Sequence, residues 1–388
     1  MNKSFIPLSV PNLKGNELSY VSHAIETEWV STAGPYVEEF ETKLAEYVGA
    51  PGAVSCQSGT AGIHVGLQLL GVGSGDLVIA PDLTFIAAIN PIKYLGADPV
   101  LIDCDDSLCI DPVKVRKFCQ EECSFADGML IHKATGRAIK AMVVVHVFGN
   151  MADMVSLLQI AQDYNLKVLE DATEALGTRY TEGEFAGKFA GTMGDFGVYS
   201  FNGNKIITTG GGGMMVSNNQ DLLAHAKHLT TQAKSNPLYF EHDEIGYNYR
   251  LTNIQAALGL AQLEQLEGFI ETKKRNYDLY KQLFQDVEGL ELLPVREGTR
   301  SNHWFYALAC DQKKFNRDKL IQNLSDESIQ TRPIWGLISD QIPYRDAITY
   351  QVEKSKEYHD KVINIPCSIN LAEDEVRRVV ETIIKEAC

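Results

Sequence analysis

None of the eight cysteines (Cys56, Cys104, Cys109, Cys119, Cys123, Cys310, Cys367 and Cys388) forms a C-x-x-C pair with another. That argues against a zinc ribbon and a thioredoxin-like site, whose thiolates sit at that spacing. Their low density fits a reducing cytoplasm better than a disulfide scaffold. No apolar run approaches the roughly 18 residues that a spanning helix needs. The opening "MNKSFIPLSVPNLKGNE", interrupted at Pro7, is too weakly apolar for a signal peptide. The expectation is a soluble protein with no membrane partner, in which the sequons at Asn2 and Asn323 carry no meaning.

Positive charge is also short. The formal net charge is −16, whereas nucleic-acid binding requires a basic face to displace counterions from phosphates. An anionic small ligand stays open, because backbone N–H groups bind phosphate without any net positive charge. Two nucleotide signatures are missing. "GEFAGKF" has the wrong spacing for a Walker loop and no Ser or Thr after Lys188, and "GVGSGD" does not complete G-x-G-x-x-G. There are no internal repeats and no low-complexity segment.

What is present is alternation. "EEFETKLAEYVGA" places Phe40, Leu44, Tyr47 and Val48 on one face and stops at Gly49, which predicts an amphipathic helix. Continuous apolar strands "DLVIAP", "PVLIDCD", "AMVVVHVFG" and "LKVLED" follow, separated by the helical stretches "FIAAINPIKYLG" and "MADMVSLLQIAQDYN". Runs of this kind predict an α/β fold whose sheet is covered by helices on both faces. "GMLIHKATGRAIKA" predicts a hairpin turning at Thr135-Gly136. "TNIQAALGLAQLEQLEGFIETKKRNYDLYKQLF" predicts one long helix capped by Thr252 or Asn253, bridging a large domain (1–250) to a smaller one (251–388). In the smaller domain, "LELLPV" and "HWFYALAC" read as strands and "DEVRRVVETIIKEAC" as an amphipathic helix.

Three segments carry chemistry. In "YSFNGNKIITTGGGG", Lys205 precedes four consecutive glycines, a composition that marks either a surface loop or a close approach by a ligand or another backbone. In "VSCQSGTAGIHVGLQLL", a strand runs through Ser58-Gly59-Thr60 into a helix whose free N–H groups and positive dipole end suit a phosphate. In "VLEDATEALG", an apolar strand delivers Asp171 to its carboxyl end, where ligands of open α/β sheets bind. A fixed carboxylate there holds a pyridinium nitrogen protonated, and a desolvated lysine nearby is a Schiff-base nucleophile. The three together match the protein half of a pyridoxal phosphate site.

The blocks "VPNLKGNE", "EWVSTAGPYVEEFE", "CQSGTAGIHVGL", "DLTFIAAINPI", "HVFGNMADM", "EDATEALGT", "GDFGVYSFNGNKIITTGGGGMMVS" and "GYNYRLTNIQAALGLAQLEQLE" occur in order across most of the chain. In them the chain resembles the DegT/StrS sugar aminotransferases, fold-type I enzymes dependent on pyridoxal 5'-phosphate. The resemblance implies a mostly parallel seven-stranded sheet between helices, plus a smaller C-terminal α+β domain. It implies that Lys205 carries the cofactor and that Asp171 pairs with its ring nitrogen. Gly59, Thr60 and Ser200 would hold the phosphate, Phe85 would stack on the ring, and Asn248 would reach the cofactor of a partner in a homodimer. Glu174 stands where the family often has His or Gln near the phenolic oxygen. A lysine rather than a histidine at 205 implies transamination, not sugar dehydration.

The opening and the "KATGRAIKAMVVVHVFGN" insert resemble the legionaminic-acid and bacillosamine branch, which aminates C4 of UDP-2-acetamido-2,6-dideoxy-hexos-4-ulose with L-glutamate as donor. C3 amination and dTDP- or GDP-linked sugars are the alternatives. Ser31, Pro35, Tyr36, Asn202 and Trp335 are the candidate sugar contacts. A non-catalytic pyridoxal phosphate-binding regulator is the reading of another class, but the chain has no basic DNA-binding segment. A cofactor-free scaffold is the third. No metal is expected: His225 and His228 read as a solvated helix face, "EHDE" (241–244) as an exposed loop, and Tyr306 as packing.

Overall fold

The computed structural model describes residues 4–236 and 238–385; Asn2 and Cys388 lie outside the described residues. Its main sheet uses eight strands in one path: β1 (Ala53–Cys56), β2 (Leu77–Pro81), β3 (Asp98–Ile102), β4 (Ala138–Val145), β5 (Lys167–Asp171), β6 (Phe196–Ser200), β7 (Gly213–Val216) and β8 (Ile348–Tyr350). The order is β1-β7-β6-β5-β4-β2-β3-β8. Only β7 runs antiparallel to its neighbours along this path. The central strands are mostly apolar because both faces are covered: Leu77, Val78, Ile79, Val143, Val144 and Val198 are all buried. The expected seven strands are β1 to β7. Met129–His132 forms the expected hairpin with β4, turning through Gly136 at a positive φ of 67°, and Cys123–Ala126 pairs with its other edge.

The eighth strand comes from the C-terminal segment, pairing Thr349 with Leu101, so the sheet does not end with residue 250. Conversely, Ile6 packs into a second core, among Tyr277, Tyr280, Phe284, Leu308 and Val379. That core lies against a four-stranded antiparallel sheet formed by Leu290–Leu292, Tyr306–Cys310, Val362–Ile365 and Arg332–Pro333.

Helix α1 (Pro35–Val48) ends at Gly49 in the left-handed conformation, and α2 (Gly59–Leu69) follows β1 directly. The single helix expected from Thr252 onward is two, α3 (Asn253–Leu263) and α4 (Leu266–Phe284). Thr252 caps α3 in a reciprocal pair with Gln255. The break comes where the last turn tightens, with the Gln265 amide donating to the Gln262 carbonyl, and the Gln265 side chain turns to Glu17. The first turn of α4 packs in the main core and its C-terminal half in the second core, so this helix joins the two. The helix expected over 85–96 is also shorter. A 3-10 turn (Ile86–Ala88) and a five-residue helix (Asn90–Tyr94) meet around Pro91, which lacks the N–H that a continuous helix requires. No helix among the described residues is long and apolar enough to cross a membrane.

Candidate active site

A cavity of about 320 Å3 opens at the carboxyl ends of β5 and β6 and the start of α2. Ser58, Gly59, Thr60, Phe85, Asp171, Glu174, Ser200, Asn202, Lys205 and Trp335 all line it. Segments far apart in the chain converge here because parallel strands deliver their carboxyl ends to one edge of the sheet.

Helix α2 forms the anion end. Ser58 Oγ accepts from the Ala61 amide at 3.1 Å, and the Ser58 carbonyl accepts from the Gly62 amide. Among the described residues, the Gly59 and Thr60 amides are left without a partner at the positive end of the helix. Glycine is required around them. A Cβ on Gly59 would lie 2.8 Å from Thr173 Cγ2, and one on Gly213 would lie 2.8 Å from the Gly59 nitrogen. Gly212, at φ 135°, would place a Cβ 2.5 Å from Thr209 Oγ1. The glycine cluster therefore lets the start of β7 lie against this helix end, and it is not a free loop.

Asp171 ends β5 and is buried, accepting a 3.0 Å bond from the Thr173 amide. Burial pushes its carboxyl above the ordinary range, and the hydrogen bonds from Thr173 and the nearby Lys205 only partly oppose this. Such a group lacks a full cationic partner, which a pyridinium nitrogen supplies. Lys205 sits on the turn after β6, its amide donating to the Asn202 carbonyl at 3.0 Å. Its Nζ lies 3.5 Å from Glu174 Oε1 and 4.0 Å from the centre of the Trp304 ring. Glu174 Oε2 accepts from the Phe148 amide at 2.8 Å, and desolvation pushes its carboxyl up to about 7. Raised to about 7, the carboxyl is partly protonated near neutral pH, and in its protonated form it can face a phenolic oxygen without charge repulsion. Paired amides, an under-compensated acid, a lysine and a volume this size fit pyridoxal phosphate.

Beneath the site, His146 and Glu170 form a fully buried pair at 2.9 Å. The Ala152 amide donates to His146 Nδ1, so Nε2 carries the proton toward Glu170, which also receives the amides of Gly191, Met193 and Gly194. His146 in turn donates its own amide to the Asp171 carbonyl, which fixes the end of β5.

Four candidates lie elsewhere. Ser31, Pro35 and Tyr36 do not line this cavity. Their segment is strapped to α3, with the Asn253 amide donating to the Ser31 carbonyl and the Tyr36 amide donating to Asn253 Oδ1. Asn248 is also outside it, bridged to Thr231. Beside it, Tyr249 accepts the Gln57 amide at 2.7 Å. The structure adds Thr84, Asn204, Trp304 and Phe305 to the lining. "HWFYALAC" gave only a strand signal, yet the strand begins at Tyr306, and His303, at φ 51°, turns the preceding aromatics into the cavity. Tyr306 is packing, its hydroxyl donating to the Lys273 carbonyl.

The two helical histidines are not simply solvated. The segment 241–244 folds back, so His225 meets Glu244 at 2.9 Å and His228 meets Asp243 at 2.7 Å. His228, Asp243 and Glu244 bring ligand-type atoms within 4.8 Å of one another, but at the surface and with each histidine already paired.

The sequence matches the DegT/DnrJ/EryC1/StrS aminotransferase family over residues 11–384. It is 37% identical over 384 residues to EpsN of Bacillus subtilis (strain 168), named as a pyridoxal phosphate-dependent aminotransferase, covering 98% of this chain and 95% of that protein. It is 34% identical over 380 residues to GDP-perosamine synthase of Escherichia coli O157:H7, covering 98% of each. Among solved structures, the aminotransferase TlmJ of Streptoalloteichus hindustanus superposes with a TM-score of 0.88 at 26% identity over 99% of both chains. The chain belongs to the DegT/DnrJ/EryC1/StrS family of sugar aminotransferases, with pyridoxal 5'-phosphate as its cofactor.

Proposed function

We propose that this enzyme moves an amino group from L-glutamate to the C4 keto carbon of a nucleotide-linked 4-keto-6-deoxy sugar, with Lys205 as the catalytic base. The observation that carries the reading is the convergence of Lys205, Asp171 and the open amides of Gly59 and Thr60 on one cavity. Bound pyridoxal phosphate supplies an electron sink for the charge that develops at the donor's α-carbon.

The chain's own residues do the rest. The Gly59 and Thr60 amides, with Ser200, hold the phosphate. Asp171 keeps a proton on the ring nitrogen. Lys205 Nζ takes the α-proton of glutamate and later returns one to the sugar carbon; a positioned base contributes about 10²- to 10⁴-fold. Phe85 would stack on the cofactor ring, and Trp304, Phe305 and Trp335 wall the cavity, leaving an apolar surface for a sugar ring. Asn202 lines the cavity and would grip the nucleotide-sugar there, whereas Ser31, Pro35 and Tyr36 lie outside it and would meet only a part of the substrate that extends beyond it. Asn248 serves a partner's cofactor in a homodimer, a reading supported by the exposed Leu238, Tyr239, Phe240 and Ile245 on the same excursion.

The resemblance of the opening and insert favours the UDP-linked 2-acetamido sugar, whereas the GDP-perosamine synthase relatives favour a GDP-linked one. Absorbance of the purified enzyme tests the reading. A lysine-linked cofactor band is expected in the native enzyme and absent in Lys205→Ala. It should be lost on adding glutamate and restored by one of the two keto sugars supplied separately. A band that glutamate leaves unchanged at every concentration overturns the transfer.

A further inference from the structure

We infer that Trp304 is a positioning residue for Lys205, holding its terminal nitrogen beside Glu174 through the indole face and fixing its backbone turn through the indole N–H. The inference rests on the cofactor reading above and adds a residue to it. Two contacts from one side chain carry it. The Lys205 ammonium lies 4.0 Å from the centre of the Trp304 ring, well inside cation–π range. Independently, Trp304 Nε1–H donates a 2.7 Å bond to the carbonyl of Asn204, the residue immediately before the lysine. One contact places the tip of the lysine and the other places its root.

Trp304 is itself held on three sides. Its amide donates to Asn302 Oδ1 at 2.9 Å, and its carbonyl accepts from the buried Lys273 Nζ at 3.0 Å. Its ring stacks on Phe305 at 4.0 Å with an 11° interplanar angle. Asn302 Nδ2 donates in turn to the carbonyls of Glu174 and Leu176, so the ring's support is tied to the segment that carries Glu174. Among the described residues, Glu174 is the only carboxylate ion-paired to Lys205, at 3.5 Å. Without the indole, a side chain with four rotatable bonds would search a 320 Å3 cavity before meeting an incoming carbonyl.

The test uses full-length enzyme stripped of cofactor and follows growth of the lysine-linked absorbance band after adding pyridoxal phosphate. Trp304→Leu removes both contacts, and the band should form on the order of 3- to 30-fold more slowly, the range a cation–π contact spans. Trp304→Phe keeps a ring face and loses the N–H; it should recover much of the rate. Far-ultraviolet circular dichroism of each variant checks folding, and if Trp304→Leu fails to fold, Trp304→Met replaces it. Equal band formation in the wild type and the aliphatic variant overturns the inference, as does an equal slowing of the aliphatic and Phe variants. A wild type that forms no band sinks the cofactor reading instead, so the two failures are distinguishable.

Discussion

Glu174 is the most informative side chain to perturb, because its burial is unusual for a carboxyl group beside a lysine. Desolvation raises it from an ordinary 4.5 to about 7, while Lys205 and the Phe148 amide pull the other way. Below about pH 4.5 the group is protonated in both folded and unfolded chains and contributes nothing. Between 4.5 and about 7 the unfolded chain releases its proton while the folded one keeps it, so stability falls as pH rises and levels off above.

The displacement corresponds to a cost of about 3 kcal/mol at high pH, of which roughly 2 to 3 kcal/mol develops between about pH 5 and about pH 8. Glu174→Gln keeps an oxygen for the Phe148 amide, 2.8 Å away in the native enzyme, and cannot titrate. Urea unfolding of cofactor-free wild type and variant across that range should show the wild type losing about 2 to 3 kcal/mol more than the variant. Parallel curves would refute the argument that burial controls this carboxyl group.

Three further outcomes follow from the same geometry. Gly213→Ala forces a Cβ within 2.8 Å of the Gly59 nitrogen; calorimetry should show about 1 to 3 kcal/mol of destabilisation, and titration should show weaker cofactor binding. Asp171→Asn retains the size but not the charge, and loss of a charged hydrogen bond worth about 1.5 to 3 kcal/mol should slow transamination roughly 10- to 100-fold. The phosphate end, and hence much of the affinity, should survive, as equilibrium dialysis would show. Phe240→Asp alters an exposed side chain; it should change monomer stability by less than about 0.5 kcal/mol yet shift the light-scattering mass from dimer toward monomer, and an unchanged mass would count against that interface.

The main sheet was legible because burial on both faces leaves a simple mark, continuous β-type runs, and because strand ends announce themselves where apolar residues give way to Asp171 or Ser200. Asp171 was legible as a lining residue for the same reason, at a punctuated strand end, whereas Lys205, on the turn after β6, stood out only through the set it forms with Asp171 and the start of α2. What escaped detection obeys no local rule. The break after Leu263 comes from a side chain, Gln265, that turns to Glu17 some 248 residues away, and helical periodicity continues straight through it. Ile348–Tyr350 is too short to stand out from the segments around it, and it becomes a strand only because the edge of β3 is available.

Trp304 is the sharpest case. Its neighbours read as an ordinary strand, and its importance lies in partners at Asn204, Lys205, Lys273 and Asn302, of which only Asn302 is close in sequence. Residues that touch the cofactor must satisfy the cofactor's chemistry, so their types and spacing repeat in a recognisable way. A residue that positions the lysine from behind answers only to the shape of this cavity. Several side chains could meet that requirement, and spacing in the sequence therefore does not disclose which one does.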